Sequence, residues 1–184
     1  MQWRRDLDAL VASGKVRAVG VSNYNVDQMR RAHAALAKRG VPLASNQVEY
    51  SLLQRAPEQT GLLAACRELG VTLIAYSPLA RGLLTGKYRP DRPAQGLRRI
   101  MFSKGRIAAI QPLTDLLLEI GERHGDKTPG QVALNWVICK GAVPIPGAKS
   151  SKQAEENAGA IGWRLTEAEV AALDAASDVV QESL

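Results

Sequence analysis

Residues able to grip an anion or a planar amide occur at two places in this 184-residue chain. The first is the run Val143-Pro144-Ile145-Pro146-Gly147-Ala148-Lys149-Ser150-Ser151-Lys152-Gln153. It reads as a strand end, a glycine that permits close backbone approach, two lysines and a capped helix start. The first N–H groups of such a helix and the positive end of its dipole suit a phosphate, with Lys149 and Lys152 adding charge. On spacing alone, an ordinary strand-to-helix turn with solvated lysines fits the same residues. The second place is spread over three strand ends: Ser22-Asn23-Tyr24, Asn46-Gln47 and Tyr76-Ser77-Pro78. The carboxyl ends of parallel strands face the ligand, so these amides, hydroxyls and one ring would converge. They suit a planar ring bearing a carboxamide, with Ser22, Asn23 and Gln47 bonding the amide and Tyr76 stacking on the ring. Polar residues at strand ends also start turns and caps, as Asn25 can for the helix behind it.

The elements that would position these residues are well marked. Val16 to Ser22, Ala44 to Tyr50, Val71 to Pro78 and Ala142 to Ala148 are short, rich in Val or Ile and bounded by Gly, Pro, Ser or Asn. Three of them lack the polar/apolar alternation of a half-exposed strand, so all four read as buried parallel strands. Amphipathic helices are expected over Arg4 to Ser13, Val26 to Lys38, Gln59 to Leu69, Ile107 to His124, Pro129 to Lys140, Lys152 to Ala160 and Glu167 to Ala176. Thr128-Pro129 sets a capping hydroxyl before a proline at the first helical position, and Ser150 to Gln153 and Thr166 to Glu169 have capping-box spacing. Strand followed by helix, four times over, implies a parallel sheet covered by helices, either part of a barrel or a doubly wound sheet. Ala80 to Gly105, rich in Gly, Pro, Arg and Lys, is a long loop of the kind that serves as a functional lid or stays disordered.

Composition narrows the class. With 46% hydrophobic residues the chain can fill one core, and it has neither a membrane-length apolar run nor a secretory leader, so an intracellular protein is expected. The net charge of +6 is scattered over pairs such as Arg30-Arg31 and Lys38-Arg39, and aromatics make up only 4%, which argues against a nucleic-acid reader. Cys66 and Cys139 sit in apolar helical segments as small buried thiols. His33 and His124 share no ligand spacing with them, and no metal site is expected.

Four ordered motifs carry a resemblance: Val19-Gly20-Val21-Ser22-Asn23-Tyr24, Asn46-Gln47-Val48-Glu49-Tyr50, the run Ala75-Tyr76-Ser77-Pro78-Leu79-Ala80-Arg81-Gly82-Leu83-Leu84-Thr85-Gly86-Lys87-Tyr88, and Ile145-Pro146-Gly147-Ala148-Lys149 with Gln153, Glu156 and Asn157. In these the chain resembles aldo-keto reductases, most closely the plant and cyanobacterial branch related to potassium-channel β-subunits. The resemblance spans nearly the whole chain and matches the C-terminal half of such enzymes. It implies a partial (β/α)8 TIM barrel that binds NADP(H) without a glycine-rich dinucleotide loop. By motif, Ser22, Asn23 and Gln47 would hold the nicotinamide carboxamide, and Tyr76 would stack on the ring. Ser77, Leu79, Gly82, Thr85 and Lys87 would line the pyrophosphate. Gly147, Lys149, Gln153, Glu156 and Asn157 would hold the 2′-phosphate and adenine. Residues 79–106 become a cofactor-side loop, with Arg98 or Arg99 as a further contact to the adenosine end.

The family's catalytic Asp, Tyr, Lys and His lie on the first four strands, which this chain does not match. Tyr24, Tyr50, Tyr76 and Tyr88 all belong to other motifs, so no catalytic residue is assigned. The resemblance therefore implies the cofactor-binding half of a carbonyl reductase, inactive alone, as a truncated product, a half needing its partner or a domain that lost its chemistry. The alternative is a non-catalytic interaction protein that binds a partner or a second copy through exposed strand edges. A small carbonyl substrate is expected only with the other half present, and cytoplasm and plastid both stay open as compartments.

Overall fold

The apolar runs become one four-stranded parallel sheet in the order β1 (Val19–Ser22), β2 (Leu43–Glu49), β3 (Thr72–Tyr76) and β4 (Val143–Ile145). The computed structural model describes residues 10–94, 96 and 102–182. β1, β3 and β4 are trimmed relative to their apolar runs, because only the laddered residues count, whereas β2 keeps seven residues and starts at Leu43, one residue earlier than expected. β4 is cut to three residues; Pro144 and Pro146 flank Ile145, and neither has an N–H to give a ladder.

Strand register sorts the side chains into two faces. Val21, Asn46 and Leu73 share one row, and Val48, Ala75 and Pro144 another. These rows pack under helices, with Leu73 and Ala75 essentially buried. The opposite rows are Ser22, Gln47, Ile74 and Val143, then Glu49, Tyr76 and Ile145. This face is open: Val143 is 49% exposed and Ile145 43%.

Helices cover the other side: α1 (Val26–Ala37), α2 (Ala56–Gln59), α3 (Leu62–Glu68), α4 (Lys104–Arg123), α5 (Pro129–Cys139), α6 (Ser151–Ala158) and α7 (Glu167–Glu182). Asn25 caps α1 and Thr128 caps α5, each in a reciprocal box with a glutamine three residues on. Thr166 and Glu169 exchange the same pair of bonds at α7, which runs on to Glu182, past the expected end at Ala176. The helix expected from Gln59 to Leu69 is α3, which starts only at Leu62, while Gln59 ends the separate single turn of α2. Gly61 takes φ +75°, a left-handed conformation that stops α2 and starts α3. Of the expected first helix only the end is described, helical through residue 12. The core between sheet and helices is one cluster around Met29, Leu73, Leu113, Leu117 and Trp136, all essentially buried.

Candidate functional site

After Tyr76 the backbone turns through an unusual series of positive φ angles: Ser77 (52°), Ala80 (47°), Arg81 (57°) and Gly82 (98°). Three of the four are not glycine, and such a conformation costs about 1–3 kcal/mol per residue unless the surroundings impose it. Here they do. Ala80 N donates to Ser77 O (2.8 Å), Gly82 N to Leu79 O (2.8 Å) and Thr85 Oγ1 to Gly82 O (2.8 Å), while Leu83 and Leu84 of the 3-10 segment Ala80–Thr85 are buried. The loop expected over Ala80 to Gly105 is thus ordered at its start, and Tyr88 packs on Phe102 with ring centroids 5.6 Å apart. Arg98 and Arg99 lie outside the described residues.

Beyond β4, Pro146 to Lys149 leads into α6. Ser150 Oγ accepts from Gln153 N, as expected, but the box does not close on Ser150: Gln153 Oε1 accepts instead from Lys149 N at 2.6 Å. The glutamine reaches one residue further back, bracing the backbone of the lysine. The N–H groups of Ser151 and Lys152 are left for another acceptor, as the first N–H groups of a helix are.

These two segments face each other across a cleft of about 700 Å³. It gathers ten of the fourteen residues singled out from the sequence: Ser77, Leu79, Gly82, Thr85 and Lys87 from one wall, Gly147, Lys149, Gln153, Glu156 and Asn157 from the other. Arg81, Thr128 and Gln131 also line it and were not singled out. The signal for Arg81 was its place beside Gly82; Thr128 read only as a cap, and Gln131 carried no reading of its own. Arg81, Lys87 and Lys149 set three cations against the single carboxylate of Glu156, so the cleft favours anions.

The other four, Ser22, Asn23, Gln47 and Tyr76, do not line the cleft. They sit together at the ends of β1, β2 and β3. Ser22 Oγ and Asn23 N both donate to Gln47 O, at 3.0 and 2.9 Å, and the Tyr76 hydroxyl donates to Asn23 Oδ1 at 3.2 Å. Asn23 also has positive φ (57°). Asn46 points the opposite way: fully buried, it donates to Tyr24 O (2.9 Å) and accepts from Tyr24 N (3.4 Å), clamping the turn that carries Asn23.

Away from the cleft, one charged cluster went unseen in the sequence. Lys140 Nζ bonds Glu58 Oε2 (3.0 Å) and Asp174 Oδ2 (2.6 Å), and Arg55 Nε bonds Glu58 Oε1 (3.0 Å). Trp136 Nε1 donates to Asp174 (2.9 Å) and the Tyr50 hydroxyl to Glu58 (2.8 Å). Burial would raise the Glu58 carboxyl, but Arg55, Tyr50 and Lys140 hold it below its usual range. Burial and then Glu58 push the Tyr50 phenol upward, so it stays protonated. Burial pushes the Cys66 thiol up to about 11. Among the described residues no group of three or more His, Cys, Asp or Glu could hold a metal ion, and no helix is long and apolar enough to cross a membrane.

The aldo/keto reductase family profile matches residues 2–178. A chloroplastic pyridoxal reductase from Arabidopsis thaliana is 47% identical over 93% of this chain and 46% of its own length. A Schizosaccharomyces pombe aldo-keto reductase whose name specifies NADP(+) is 35% identical over 94% of this chain and 51% of its own. Among solved structures, a thermostable aldo-keto reductase in complex with the inhibitor epalrestat superposes with a TM-score of 0.71 at 32% identity, over 92% of this chain and 52% of the other. The chain spans about half the length of these relatives. With its family profile matched almost end to end and its four parallel strands laid out as part of such a barrel, the chain belongs to the aldo/keto reductase family.

Proposed function

We propose that this chain supplies the NADP(H)-holding part of a carbonyl reductase site. One observation carries the reading: two segments some sixty residues apart, each singled out for anion or nucleotide chemistry, form the opposite walls of one cationic cleft at the carboxyl end of the sheet. The residues fit the group. Lys149 and the open N–H groups at the start of α6 suit the 2′-phosphate, Lys87 and the left-handed turn at Arg81 and Gly82 suit the pyrophosphate, and the polar strand ends suit the carboxamide. Tyr76, half-buried on the open face, offers its ring for stacking.

When bound, the reduced cofactor supplies the hydride. The chain's own residues bind and orient. Tyr50 is buried against Glu58, Tyr88 is buried beside Phe102 and the Tyr76 hydroxyl donates to Asn23, while Asn46 holds Tyr24 by its backbone alone. We assign the general acid of the reaction to residues outside this set because every tyrosine here belongs to a motif other than the catalytic one of the family. The similarity to a pyridoxal reductase makes pyridoxal the first aldehyde to try. Titrating NADPH and NADH against nicotinamide fluorescence tests the reading: NADPH should bind and be preferred. A chain that binds neither nucleotide refutes it.

The open face favours a second reading, in which the exposed rows through Val143 and Ile145, and the unpaired edges of β1 and β4, meet a second copy or a partner. Sedimentation of the purified chain separates the readings. A dimer that binds no NADPH supports the second, and a monomer that binds NADPH the first.

A further inference from the structure

α6 lines the cleft with Gln153, Glu156 and Asn157, yet none of its residues is buried. A helix with no side in the core takes its position from a few directed bonds and not from packing. One such bond comes from α5: Gln131 Nε2 donates to Glu156 O at 2.9 Å. The same amide is fixed at its other end, because Gln131 Oε1 accepts from Thr128 N at 2.9 Å. Gly159 completes the fit. A β-carbon there would overlap Gln131 Nε2, although Gly159 sits at φ −64°, ψ −5°, which any residue adopts. Any side chain at this position would have to displace the Gln131 amide, although the backbone itself would accept it. The bonds from Trp163 Nε1 to Gly159 O and from Asn135 Nδ2 to Ala160 O act only beyond the last residue of the helix.

We propose that Gln131, seated under Gly159, is a positioning residue that sets where α6 stands over the cleft and so tunes the grip on the adenosine-phosphate end of the dinucleotide. The inference rests on the NADP(H) reading. One lone pair and one N–H of the Gln131 amide are engaged by Thr128 and Glu156, and it is through this tie to α6 that the proposed influence passes. Loss of one such tie is worth about three- to tenfold in affinity.

The test uses the full chain with Gly159→Ala, which displaces Gln131 without adding charge, and Gln131→Met, which removes the tie outright. NADPH, adenosine 2′,5′-bisphosphate and reduced nicotinamide mononucleotide are titrated in parallel, and amide exchange is followed across α5 and α6. Both variants should weaken NADPH and the bisphosphate by a like factor, leave the mononucleotide unchanged, and speed exchange in Ser151–Ala158 with Pro129–Cys139 still protected. Unchanged bisphosphate affinity and unchanged α6 exchange in Gly159→Ala overturn the inference, as does an equal loss for both half-ligands. If the unsubstituted chain binds neither NADPH nor the bisphosphate, the cofactor reading falls and takes this one with it. Binding by the unsubstituted chain with no effect in Gly159→Ala sinks this inference alone.

Discussion

At the scale of single residues, the cleft makes Lys149 and Tyr76 the sharpest probes. Lys149 stands at the start of α6 with its backbone braced by Gln153, so Lys149→Ala should weaken NADPH while leaving NADH nearly unchanged. Equal loss for both nucleotides in the same titration would remove the 2′-phosphate assignment. Tyr76→Ala should weaken NADPH by about 1 kcal/mol, the scale of an aromatic contact. Because the Tyr76 hydroxyl donates to Asn23, Tyr76→Phe should also cost something, about threefold at most. A loss for Phe as large as that for Ala would make the hydroxyl, and not the ring, the working part. Most of the cleft was legible at this scale because it is built from two contiguous strings that carry the family resemblance, one holding Gly82, Thr85 and Lys87 and the other Gly147, Lys149, Gln153 and Asn157. Arg81 was not. Its contribution comes from a left-handed backbone that an arginine rarely adopts, and nothing in residue type announces that.

At the scale of elements, caps were easier to read than boundaries. The Thr128 start stands where the hydroxyl before a proline puts it and the Thr166 start where the hydroxyl-to-glutamate spacing does, since both are local patterns. Gly61 delaying the start of α3 to Leu62, and Gln153 reaching back to Lys149, depend on backbone angles and reach that spacing does not fix. The start of α7 also carries a pH dependence. Burial would raise the Glu169 carboxyl, but Thr166 and His124, whose Nε2 lies 2.9 Å away, hold it below its usual value near 4.5. A carboxylate depressed in the folded state stabilises fully above the ordinary glutamate range, and that contribution is lost as pH falls through it. Urea unfolding of the native chain should therefore weaken from pH 6 to pH 3 by more than that of Glu169→Gln, by about 1 kcal/mol. Parallel pH profiles for the two proteins would show that Glu169 contributes nothing.

At the scale of the whole molecule, the sheet presents a cleft on one end and an open face on one side. Carbonyl reduction needs a proton donor as well as a positioned cofactor, and general acid–base catalysis is worth about 10²–10⁴-fold. The chain alone is expected to oxidise no NADPH above background with pyridoxal or with a panel of aldehydes and ketones. Activity only after mixing with a separately produced first half of a related reductase would show the surfaces competent, whereas activity in the chain alone would overturn the half-site reading. The parallel order of the strands was legible from their alternation with helices. The charged cluster was not, because Arg55 and Asp174 are 119 residues apart and only tertiary packing brings them together. Asp174→Ala should cost about 2–4 kcal/mol in urea unfolding, since Lys140, Arg55 and Trp136 lose an acceptor together.

That cluster also dictates an order of assembly. A chain emerging from the ribosome delivers Arg55 and Glu58 early, Lys140 much later, and Asp174 last of the four. Until Asp174 has emerged, two half-buried cations share one carboxylate, and the α2 corner of the barrel wall has no latch. Nascent chains stalled with residue 165 exposed should be cut by protease near Arg55, whereas those stalled with residue 182 exposed should resist; equal cleavage at the two lengths would show that Asp174 is not the latch.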